Sequence, residues 1–346
     1  MRVGIIGYGL AGRVFHGRLL AHTEAAEVVA VTTRDPERQA AAERDFPGLT
    51  CFRTVGEMLA TARLDLAVVA TVPSAHPDNA IECLSAGVAT VVDKPLAVDA
   101  GAAAGIVAAA GDTPLTVFQN RRWDADQLTL RRLLSHDRLG HVLRYESRLE
   151  RWRPLVDPAR WRDINGPAEG GGVLLDLGSH LVDQALTLFG PVRSVYGEVA
   201  TRRGGQPPEL SVASGDDDAF VALEHADGTR SHLWCSSVAA TAGPRLRVLG
   251  SAAGYVVDEV DGQEDSLRAG APAGEAAPKV GWLVRGAERE SVDPERGRWD
   301  SFYSTVGSAL RDGGPMPVDP MDAVRALEVI DAARRSARNT EIVRLG

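Results

Sequence analysis

An aspartate and a histidine lie four residues apart in the second half of the chain. Asp176 and His180 follow a run of glycines and precede an apolar segment with helical spacing that ends near Gly190. Four residues of helix bring two side chains to the same face, so both can reach one hydroxyl group of a substrate. A histidine that titrates near neutral pH can accept the proton of that hydroxyl while a hydride leaves the same carbon. The pair is therefore suited to the oxidation of an alcohol.

The segment that holds this pair carries further polar residues at helical spacing. Asp183, Gln184 and Thr187 lie on the same stripe as the pair, and apolar residues flank the stripe on both sides. The stripe has no Lys, Arg or Glu, the long charged residues that usually fill a solvated face. An amphipathic surface helix is the alternative, but this composition favours a stripe that lines a cleft.

A lysine stands at the end of another apolar segment. Lys94 follows an expected strand at residues 89–92 and precedes Pro95, which removes a backbone donor and fixes the turn. A lysine at such a place is commonly a solvated loop residue. The alternative is a catalytic ammonium at the mouth of a cofactor cleft, with its pKa lowered by burial and by a neighbouring positive charge. The residues alone leave both interpretations open.

The N-terminus carries a glycine loop of the type that binds dinucleotides. A short apolar strand at residues 3–6 leads into a G-x-G-x-x-G segment, and a helix is expected at residues 13–21. In such a segment the glycines permit a tight turn, close approach to a pyrophosphate and close packing of helix on strand, while the helix N-terminus faces the anion. The segment consists of Gly7, Tyr8, Gly9, Leu10, Ala11 and Gly12.

The next strand ends in residues that bear on the choice of cofactor. About twenty residues beyond the glycines, an NAD site would place an acid for the ribose hydroxyls. Here Thr33 and Arg34 follow the apolar run 28–31. A hydroxyl and a guanidinium can bind a 2′-phosphate, whereas a carboxylate would repel it. The alternative is a polar strand end with Asp35 capping a helix at residues 36–44, but the pattern favours NADP over NAD.

Apolar runs and helical segments alternate in the first third of the chain. Strands are expected at residues 3–6, 28–31, 64–70, 89–92 and 115–118, and helices at residues 13–21, 36–44, 76–86 and 97–110. This alternation predicts an α/β Rossmann domain with a parallel, doubly wound sheet over residues 1–120. Thr71, Val72 and Pro73 break one strand into a loop, and ligands bind at such carboxyl ends.

The pattern changes after Asn120. Beyond a helix at residues 123–135, long alternating strands are expected at residues 142–149 and 192–202, with a hairpin over 220–234 that turns at Asp227 and Gly228. They predict an α+β domain over residues 121–346 with an open, mostly antiparallel sheet. Residues 261–278 are expected to form a mobile surface loop, residues 320–336 a helix near the first domain, and residues 341–345 a last strand.

Composition narrows the class of protein. A chain of 346 residues predicts about two domains, and a net charge of −9 disfavours binding to nucleic acid or to an anionic membrane. The cysteines are far apart, odd in number and without metal-ligand spacing, so we expect no disulfide framework and no metal. With neither a signal sequence nor a membrane-length apolar run, we expect a cytoplasmic protein.

Four motifs together resemble a known family, the glucose-fructose oxidoreductase and inositol dehydrogenase family (Gfo/Idh/MocA). In chain order they are GYGLAG, Thr71-Val72-Pro73 with His76, Asp93-Lys94-Pro95, and Asp176 with His180 inside GGGVLLDLGSHLVD. The resemblance covers the whole chain and implies that nicotinamide lies between a Rossmann domain and an open sheet. It implies that His180 accepts the proton, that Lys94 polarises the reacting oxygen and that Asp176 positions substrate hydroxyls. The commoner motif is Glu-Lys-Pro, so Asp93 is a conservative departure.

Segments 120–124, 151–154 and 176–180 are similar to the NADP-preferring scyllo-inositol dehydrogenase branch of that family. The resemblance implies a polyol or sugar substrate that contacts Lys94, Asn120, Arg122, Trp123, Trp152, Asp176 and His180. Besides the glycine loop, Thr33 and Arg34, it implies cofactor contacts from Thr71, Pro73, His76, Lys94, Trp161 and Arg162. It also implies a homodimer or homotetramer. The alternatives are an NAD-dependent glycosidase of the same fold and a non-catalytic regulator that binds dinucleotide and sugar.

Overall fold

A parallel sheet of six strands forms the first part of the structure, a computed structural model that describes residues 1–203 and 215–346. Its strands are β1 (Arg2–Ile6), β2 (Glu27–Thr32), β3 (Thr50–Phe52), β4 (Leu66–Val69), β5 (Ala89–Asp93) and β6 (Leu115–Phe118). Their order is β3-β2-β1-β4-β5-β6, which confirms the predicted Rossmann sheet. The order reverses direction between β1 and β4, and a doubly wound sheet binds its ligands in the crevice at such a point.

Helices cover both faces of this sheet, as the wholly buried strand β4 requires. A π-helical segment, Ala11–Gly17, continues into α1 (Arg18–Ala21), and further helices are α2 (Pro36–Asp45), α3 (Val55–Thr61), α4 (His76–Ser85) and α5 (Ala100–Ala110). Asp35 caps α2, as the alternative interpretation of this strand end expects, because its carboxylate accepts from the backbone N–H groups of Glu37 and Arg38. Strand β3 and helix α3 were not predicted, since three and seven residues are too short to show a periodicity. The capping box of Thr54 and Glu57 is the signal in the sequence that marks the start of α3.

A nine-stranded, mostly antiparallel sheet forms the second part and confirms the predicted fold class. It contains β7 (Val142–Glu150), β8 (Val192–Ala200), β9 (Asp218–His225), β10 (Arg230–Ser236), β11 (Leu246–Gly250), β12 (Gly254–Val257), β13 (Gly281–Arg285), β14 (Glu288–Val292) and β15 (Val343–Arg344). The strand order is β14-β13-β12-β11-β7-β10-β9-β8-β15. Strands β7 and β10 pair in parallel, and the other neighbours are antiparallel.

The helices of the second part place its functional residues on the side that meets the Rossmann sheet. They are α6 (Ala125–Ser135), α7 (Trp161–Ile164), α8 (Ser179–Phe189), α9 (Gln263–Ala269), α10 (Ser301–Asp312) and α11 (Pro320–Asn339). Helix α8 follows directly on a π-helical turn, Leu174–Gly178. Within the described ranges, no helix is both long enough and apolar enough to cross a membrane.

The long helix α11 contacts both sheets. The Asp331 carboxylate accepts from the backbone N–H of Ala100 at 3.0 Å, at the start of α5. On its other side, the Ser336 hydroxyl accepts from the backbone N–H of Gly197 in β8 at 3.0 Å. A Cβ at Gly197 would lie 2.5 Å from the carbonyl oxygen of Ala333, so the close approach of helix and strand requires glycine there. Through these contacts α11 holds the two parts of the chain together.

The prediction of a mobile surface loop over residues 261–278 is wrong. This segment contains α9, and Asp261, Gln263 and Leu267 are buried. The Gln263 side chain donates to the carbonyl oxygen of Trp123 and accepts from the backbone N–H of Trp299. The Asp261 carboxylate accepts from the backbone N–H of Ala125 at 2.7 Å. A composition rich in acids and glycine indicated exposure, but these polar side chains satisfy buried backbone groups instead.

Candidate active site

A cavity of about 640 Å³ lies where the carboxyl ends of the Rossmann strands face the second sheet. From the first part of the chain it is lined by the glycine loop, by the loop after β4, by Asp93 at the end of β5 with Lys94 after it, and by Asn120 after β6. From the second part it is lined by the π-helical turn and the first residues of α8. The structure therefore brings five separate segments of the sequence to one cleft.

Lys94 is paired inside this cavity rather than solvated. Its ammonium donates to Oδ1 of Asp176 at 2.9 Å and to the carbonyl oxygen of the same residue at 2.7 Å. The Lys94 side chain is 13% exposed. The solvated-loop interpretation is wrong, because a loop lysine in water would not be fixed by two bonds from another domain.

Asp176 is the anion of this cluster. The guanidinium Nε of Arg162 lies 3.3 Å from its Oδ1, on α7. Burial alone would raise the pKa of the Asp176 carboxyl, but the positive charges of Lys94 and Arg162 outweigh burial and hold that pKa far below its ordinary value. Asp176 is therefore a carboxylate at any pH at which the protein works.

His180 lies one helical turn beyond Asp176 and lines the same cavity. Its side chain is 4% exposed, and Nδ1 has no hydrogen-bond partner among the described residues. Burial, and next the positive charges of Lys94 and Arg121, hold the pKa of His180 well below 6.5. The imidazole is therefore neutral near pH 7 and has a lone pair with which to accept a proton.

The loops that carry these groups are held by buried polar contacts. The backbone N–H of Leu174, at the start of the π-helical turn, donates to the Asp216 carboxylate at 2.7 Å. Gly172 has φ +94°, and a Cβ there would lie 2.1 Å from that carboxylate, so both the turn and the contact require glycine.

His76 is buried, with Nδ1 2.9 Å from the carbonyl oxygen of Pro95 and Nε2 3.2 Å from that of Thr71. His76 therefore joins the loops that carry Thr71 and Lys94, and it is not among the residues that line the cavity.

The polar stripe of α8 faces the cavity only in part. Asp183 accepts from Arg122 at 2.6 and 2.8 Å, and Gln184 donates to the carbonyl oxygen of Arg121 at 3.0 Å. Thr187 donates to the backbone carbonyl of Asp183. Asp183 and Gln184 belong to buried networks, whereas Thr187 is exposed and bonds within its own helix. The prediction of a cleft-lining stripe is correct for Asp176 and His180 and wrong for the others.

Three residues expected to touch substrate lie away from the cavity. Arg122 is buried between Asp183 and Asp322, Trp123 packs edge-on against Phe302, and Trp152 is 58% exposed outside the cavity. Asn120 lines the cavity as expected. The tight 3₁₀ turn Asn120–Trp123 rotates each side chain by about a third of a turn, so Arg121 faces the cavity and its neighbour Arg122 does not.

The glycine loop has the geometry of a dinucleotide cradle. Gly7 has φ +89°, and a Cβ at Gly12 would lie 2.0 Å from the carbonyl oxygen of Gly7, so helix and strand meet only because both are glycine. A Cβ at Gly9 would meet only Nη1 of Arg38 at 3.8 Å, which leaves the backbone open to a ligand. Gly7, Gly9, Leu10 and Ala11 line the cavity, whereas the Tyr8 hydroxyl donates to Asp45 at 2.9 Å and braces α2. These residues fit a bound pyrophosphate.

A further cavity of about 490 Å³ adjoins the end of β2. Thr33 and Arg34 line it as predicted, and Arg38 and Arg53, which were not predicted, line it too. Arg34 donates from Nε to the carbonyl oxygen of Arg53 at 3.4 Å. Three guanidinium groups around one small cavity favour an anionic group there. Arg38 lies in the first turn of α2 and Arg53 two residues before α3, and at these positions a sequence pattern gives no hint that the side chains converge.

The other residues expected at the cofactor are divided between the two parts of the chain. Thr71 and Pro73 line the main cavity from the Rossmann side, and Trp161 and Arg162 line it from α7. The guanidinium of Arg162 stacks on the ring of Trp161 at 4.3 Å. Seven charged residues that were not among the predicted site residues also line the cavity: Arg38, Arg121, Arg151, Arg153, Arg160, Glu264 and Arg268.

Comparison with known proteins agrees with this geometry. The NAD-binding Rossmann fold of the oxidoreductase family Gfo/Idh/MocA matches residues 1–120, and the C-terminal alpha/beta domain of the same family matches residues 131–345. The chain is 31% identical to scyllo-inositol 2-dehydrogenase (NADP(+)) IolW of Bacillus subtilis, over 100% of this chain and 96% of that protein. It is 28% identical to D-apiose dehydrogenase of Paraburkholderia graminis, over 99% of this chain and 88% of that protein.

Solved structures show the same architecture along the whole chain. The oxidoreductase yvaA of Bacillus subtilis superposes with a TM-score of 0.89 at 29% identity, covering 100% of this chain and 98% of that one. An oxidoreductase from Klebsiella pneumoniae superposes with a TM-score of 0.87 at 30% identity, covering 100% and 95%. Both domains of the family match this chain, in order and over nearly its full length. The cleft between them contains the glycine loop together with Lys94, Asp176 and His180. The chain therefore belongs to the Gfo/Idh/MocA family of oxidoreductases.

Proposed function

We propose that this protein is an NADP-dependent dehydrogenase that interconverts a secondary alcohol of a cyclitol or sugar with the corresponding ketone. The observation that carries the proposal is the cluster of Lys94, Asp176 and His180 in the cavity that begins at the glycine loop. The relatives support it, since one is named as an NADP-dependent inositol dehydrogenase and another as a sugar dehydrogenase. When bound, the nicotinamide supplies the acceptor for the hydride of the carbinol carbon.

Residues of the chain bind the substrate hydroxyl and accept its proton. An ammonium has three N–H donors, and Asp176 accepts two of those of Lys94, so the third can be donated to the hydroxyl oxygen of the substrate. His180 is neutral and accepts the hydroxyl proton as the carbonyl double bond forms. The second carboxylate oxygen of Asp176 is free to orient a neighbouring hydroxyl, as substrate positioning requires.

The cofactor is held by two sets of residues in this proposal. The backbone of Gly7, Gly9 and Leu10 binds the pyrophosphate at the start of the helical segment. Thr33 and the arginines around the end of β2 bind the 2′-phosphate, which is the feature that favours NADP over NAD.

The test is reduction of NADP by the purified protein with a panel of cyclitols and sugars, followed at the absorbance band of the reduced nicotinamide. Turnover that requires added NADP and yields a ketone supports the proposal. Hydrolysis of a glycoside without net reduction of added cofactor identifies the glycosidase instead. Binding of NADPH and sugar without either reaction identifies a non-catalytic regulator.

A further inference from the structure

The cavity that holds Lys94, Asp176 and His180 adjoins a second cavity of about 690 Å³, and arginines form most of the wall between the two. The second cavity lies farther from the catalytic cluster and from the glycine loop, of which only Leu10 reaches it. Six arginines face both cavities: Arg121, Arg151, Arg153, Arg160, Arg162 and Arg268. Among the described residues, Glu264 is the one acid that lines both.

Half of these arginines have acidic partners in the protein. Arg121 bonds to Asp124 at 3.0 Å and to Glu264 at 2.9 Å, and Arg268 bonds to the same Glu264 at 2.8 Å. Arg162 lies 3.3 Å from Asp176. These charges are compensated, so they need no ligand to balance them.

The other three have no ion-pair partner over residues 1–203 and 215–346: Arg151, Arg153 and Arg160. The charge of Asp163 acts on Arg153 and Arg160, but its carboxylate is already bonded to Arg203 at 2.9 Å. Their charges act on one another, since the pKa of the Arg153 guanidinium is lowered by burial and then by Arg151 and Arg160. A group of like charges in a cleft is stabilised when an anion binds between them.

Arg151 is also close to the catalytic cluster. After Lys94 and Arg162, its positive charge is among those that hold the pKa of Asp176 low against burial. Arg151 and Arg153 come one and three residues after β7, and their backbone N–H groups donate to the carbonyl oxygens of Ser236 and Ser237 at 2.8 and 2.7 Å, which fixes this segment where it lines the cavity. An anion bound by these two residues would therefore share one cavity with Lys94.

Apart from Glu264, the acids that line the outer cavity do not pair with these arginines. Glu150 accepts from the backbone N–H of Gly243 at 2.8 Å, and Asp261 accepts from two backbone N–H groups, while Asp265 is exposed. In the proposed function, the backbone of the glycine loop binds the pyrophosphate of the cofactor, and Arg38 with its neighbours at the end of β2 binds the 2′-phosphate. Arg151 and Arg153 are therefore left for another anion.

We propose that the substrate carries a carboxylate or phosphate group that binds Arg151 and Arg153, so that it is a sugar acid or a phosphate ester of a sugar or cyclitol. This inference rests on the proposed function, because it places the anion at the end of the molecule remote from the alcohol that is oxidised. A guanidinium binds either anion through paired N–H donors.

The experiment compares matched substrates with wild-type protein and two double variants. Each neutral substrate is compared with anionic counterparts: glucose with glucuronate and glucose 6-phosphate, and myo-inositol with its monophosphate. The value of kcat/KM with NADP is measured for each substrate. The first variant is Arg151→Gln with Arg153→Gln. The control is Arg193→Gln with Arg230→Gln, which removes the same charge from exposed positions outside both cavities. The affinity for NADPH is measured separately by fluorescence titration.

The wild-type protein is expected to prefer an anionic substrate to its neutral partner, and the carboxylate and phosphate arms identify the anion. The first variant should lose about 10- to 100-fold in kcat/KM per arginine on the anionic substrate, much more than on the neutral one, and the control should lose little. A wild-type preference for neutral substrates overturns the inference and leaves the proposed function standing. Equal losses on both substrates together with weaker NADPH binding also overturn it, because the arginines then serve the cofactor. If no alcohol is oxidised, the proposed function fails, and calorimetric titration of glucuronate and glucose 6-phosphate into the NADPH-loaded protein decides whether the anion site exists.

Discussion

The ammonium of Lys94 donates to the carboxylate Oδ1 of Asp176 at 2.9 Å and to the main-chain carbonyl of the same residue at 2.7 Å. Lys94 follows β5 of the Rossmann sheet, whereas Asp176 lies on the turn that leads into α8 of the other part of the chain. These two bonds therefore set the position of the two halves of the cleft relative to each other. They also aim the one remaining N–H of the ammonium at the space between the two halves.

Replacing Lys94 by methionine should lower kcat about 10²- to 10³-fold, the usual loss when a donor to oxygen charge in the transition state is removed. NADPH affinity should change little, because the glycine loop and the arginines at β2 do not contact Lys94. The chain offers a matched control in its other lysine, Lys279, which is paired on the surface with Glu259. Steady-state kinetics and NADPH titration of Lys94→Met and Lys279→Met make the comparison. A Lys94 variant that keeps most of its turnover removes this residue from the mechanism.

Cofactor preference should depend on the cavity at the end of β2. Arg38→Gln should reduce the ratio of kcat/KM for NADP over NAD by about 10- to 100-fold, since a charge-assisted bond to the 2′-phosphate is lost. Thr33→Asp should reverse the preference, because a carboxylate repels that phosphate. Arg44→Gln serves as the control, since Arg44 lies on the same helix but is exposed and does not line the cavity. Equal kcat/KM of the wild-type protein for both cofactors would show that the assignment of NADP is wrong.

The parts of the structure that local patterns encode could be predicted from the sequence. Strand β4 reads as a continuous apolar run because helices cover it on both faces, and the hairpin of β9 and β10 turns at Asp227 and Gly228 as its turn residues indicate. Asp176 and His180 were found because helical spacing places them on one face. In each case, the residues that decide the structure are neighbours in sequence.

Partners that are distant in sequence could not be predicted. Arg122 and Asp183 are 61 residues apart, and Arg121 and Glu264 are 143 residues apart, yet these pairs decide which arginine is buried and which lines the cleft. The resemblance to the scyllo-inositol dehydrogenase branch pointed to the segment Asn120–Trp123. It could not show which of these side chains the 3₁₀ turn directs into the cavity. Residues 261–278 look solvated by composition, and only the fold shows that Asp261 and Gln263 bond to buried backbone groups.

The position of Arg122 leads to a prediction on stability. Arg122→Met removes the partner of the buried carboxylate of Asp183 and should lower the free energy of unfolding by about 3–5 kcal/mol. The KM of the folded fraction should stay close to that of the wild-type protein, because Arg122 does not line the cavity. Denaturant unfolding and initial-rate kinetics on the same preparation make the two measurements. A raised KM at unchanged stability would instead restore Arg122 as a substrate ligand.

The pH dependence of His180 has a definite sign. Because burial, Lys94 and Arg121 hold its folded pKa well below 6.5, the residue is neutral in folded and unfolded protein above that pH and contributes no slope to stability there. As the pH falls below 6.5, the unfolded chain binds a proton that the folded protein does not, so stability is lost until the folded pKa is reached. His180→Asn should remove this contribution. For the same reason, the acidic limb of the pH–rate profile for alcohol oxidation should lie well below pH 6.5 in the wild-type protein.

His180→Asn should lower the rate of oxidation at pH 7 about 10²- to 10⁴-fold, the usual contribution of a general base, and should abolish that acidic limb. Stability at pH 7 should hold, because Nδ1 of His180 makes no hydrogen bond among the described residues that the substitution could break. His141→Asn is the control, since His141 is exposed and does not line the cavity. The rival interpretation, a core histidine with a purely structural role, predicts the opposite division: a lower melting temperature with normal kcat. Melting curves and pH–rate profiles of both variants separate the two, and an unchanged profile in His180→Asn would exclude this residue as the proton acceptor.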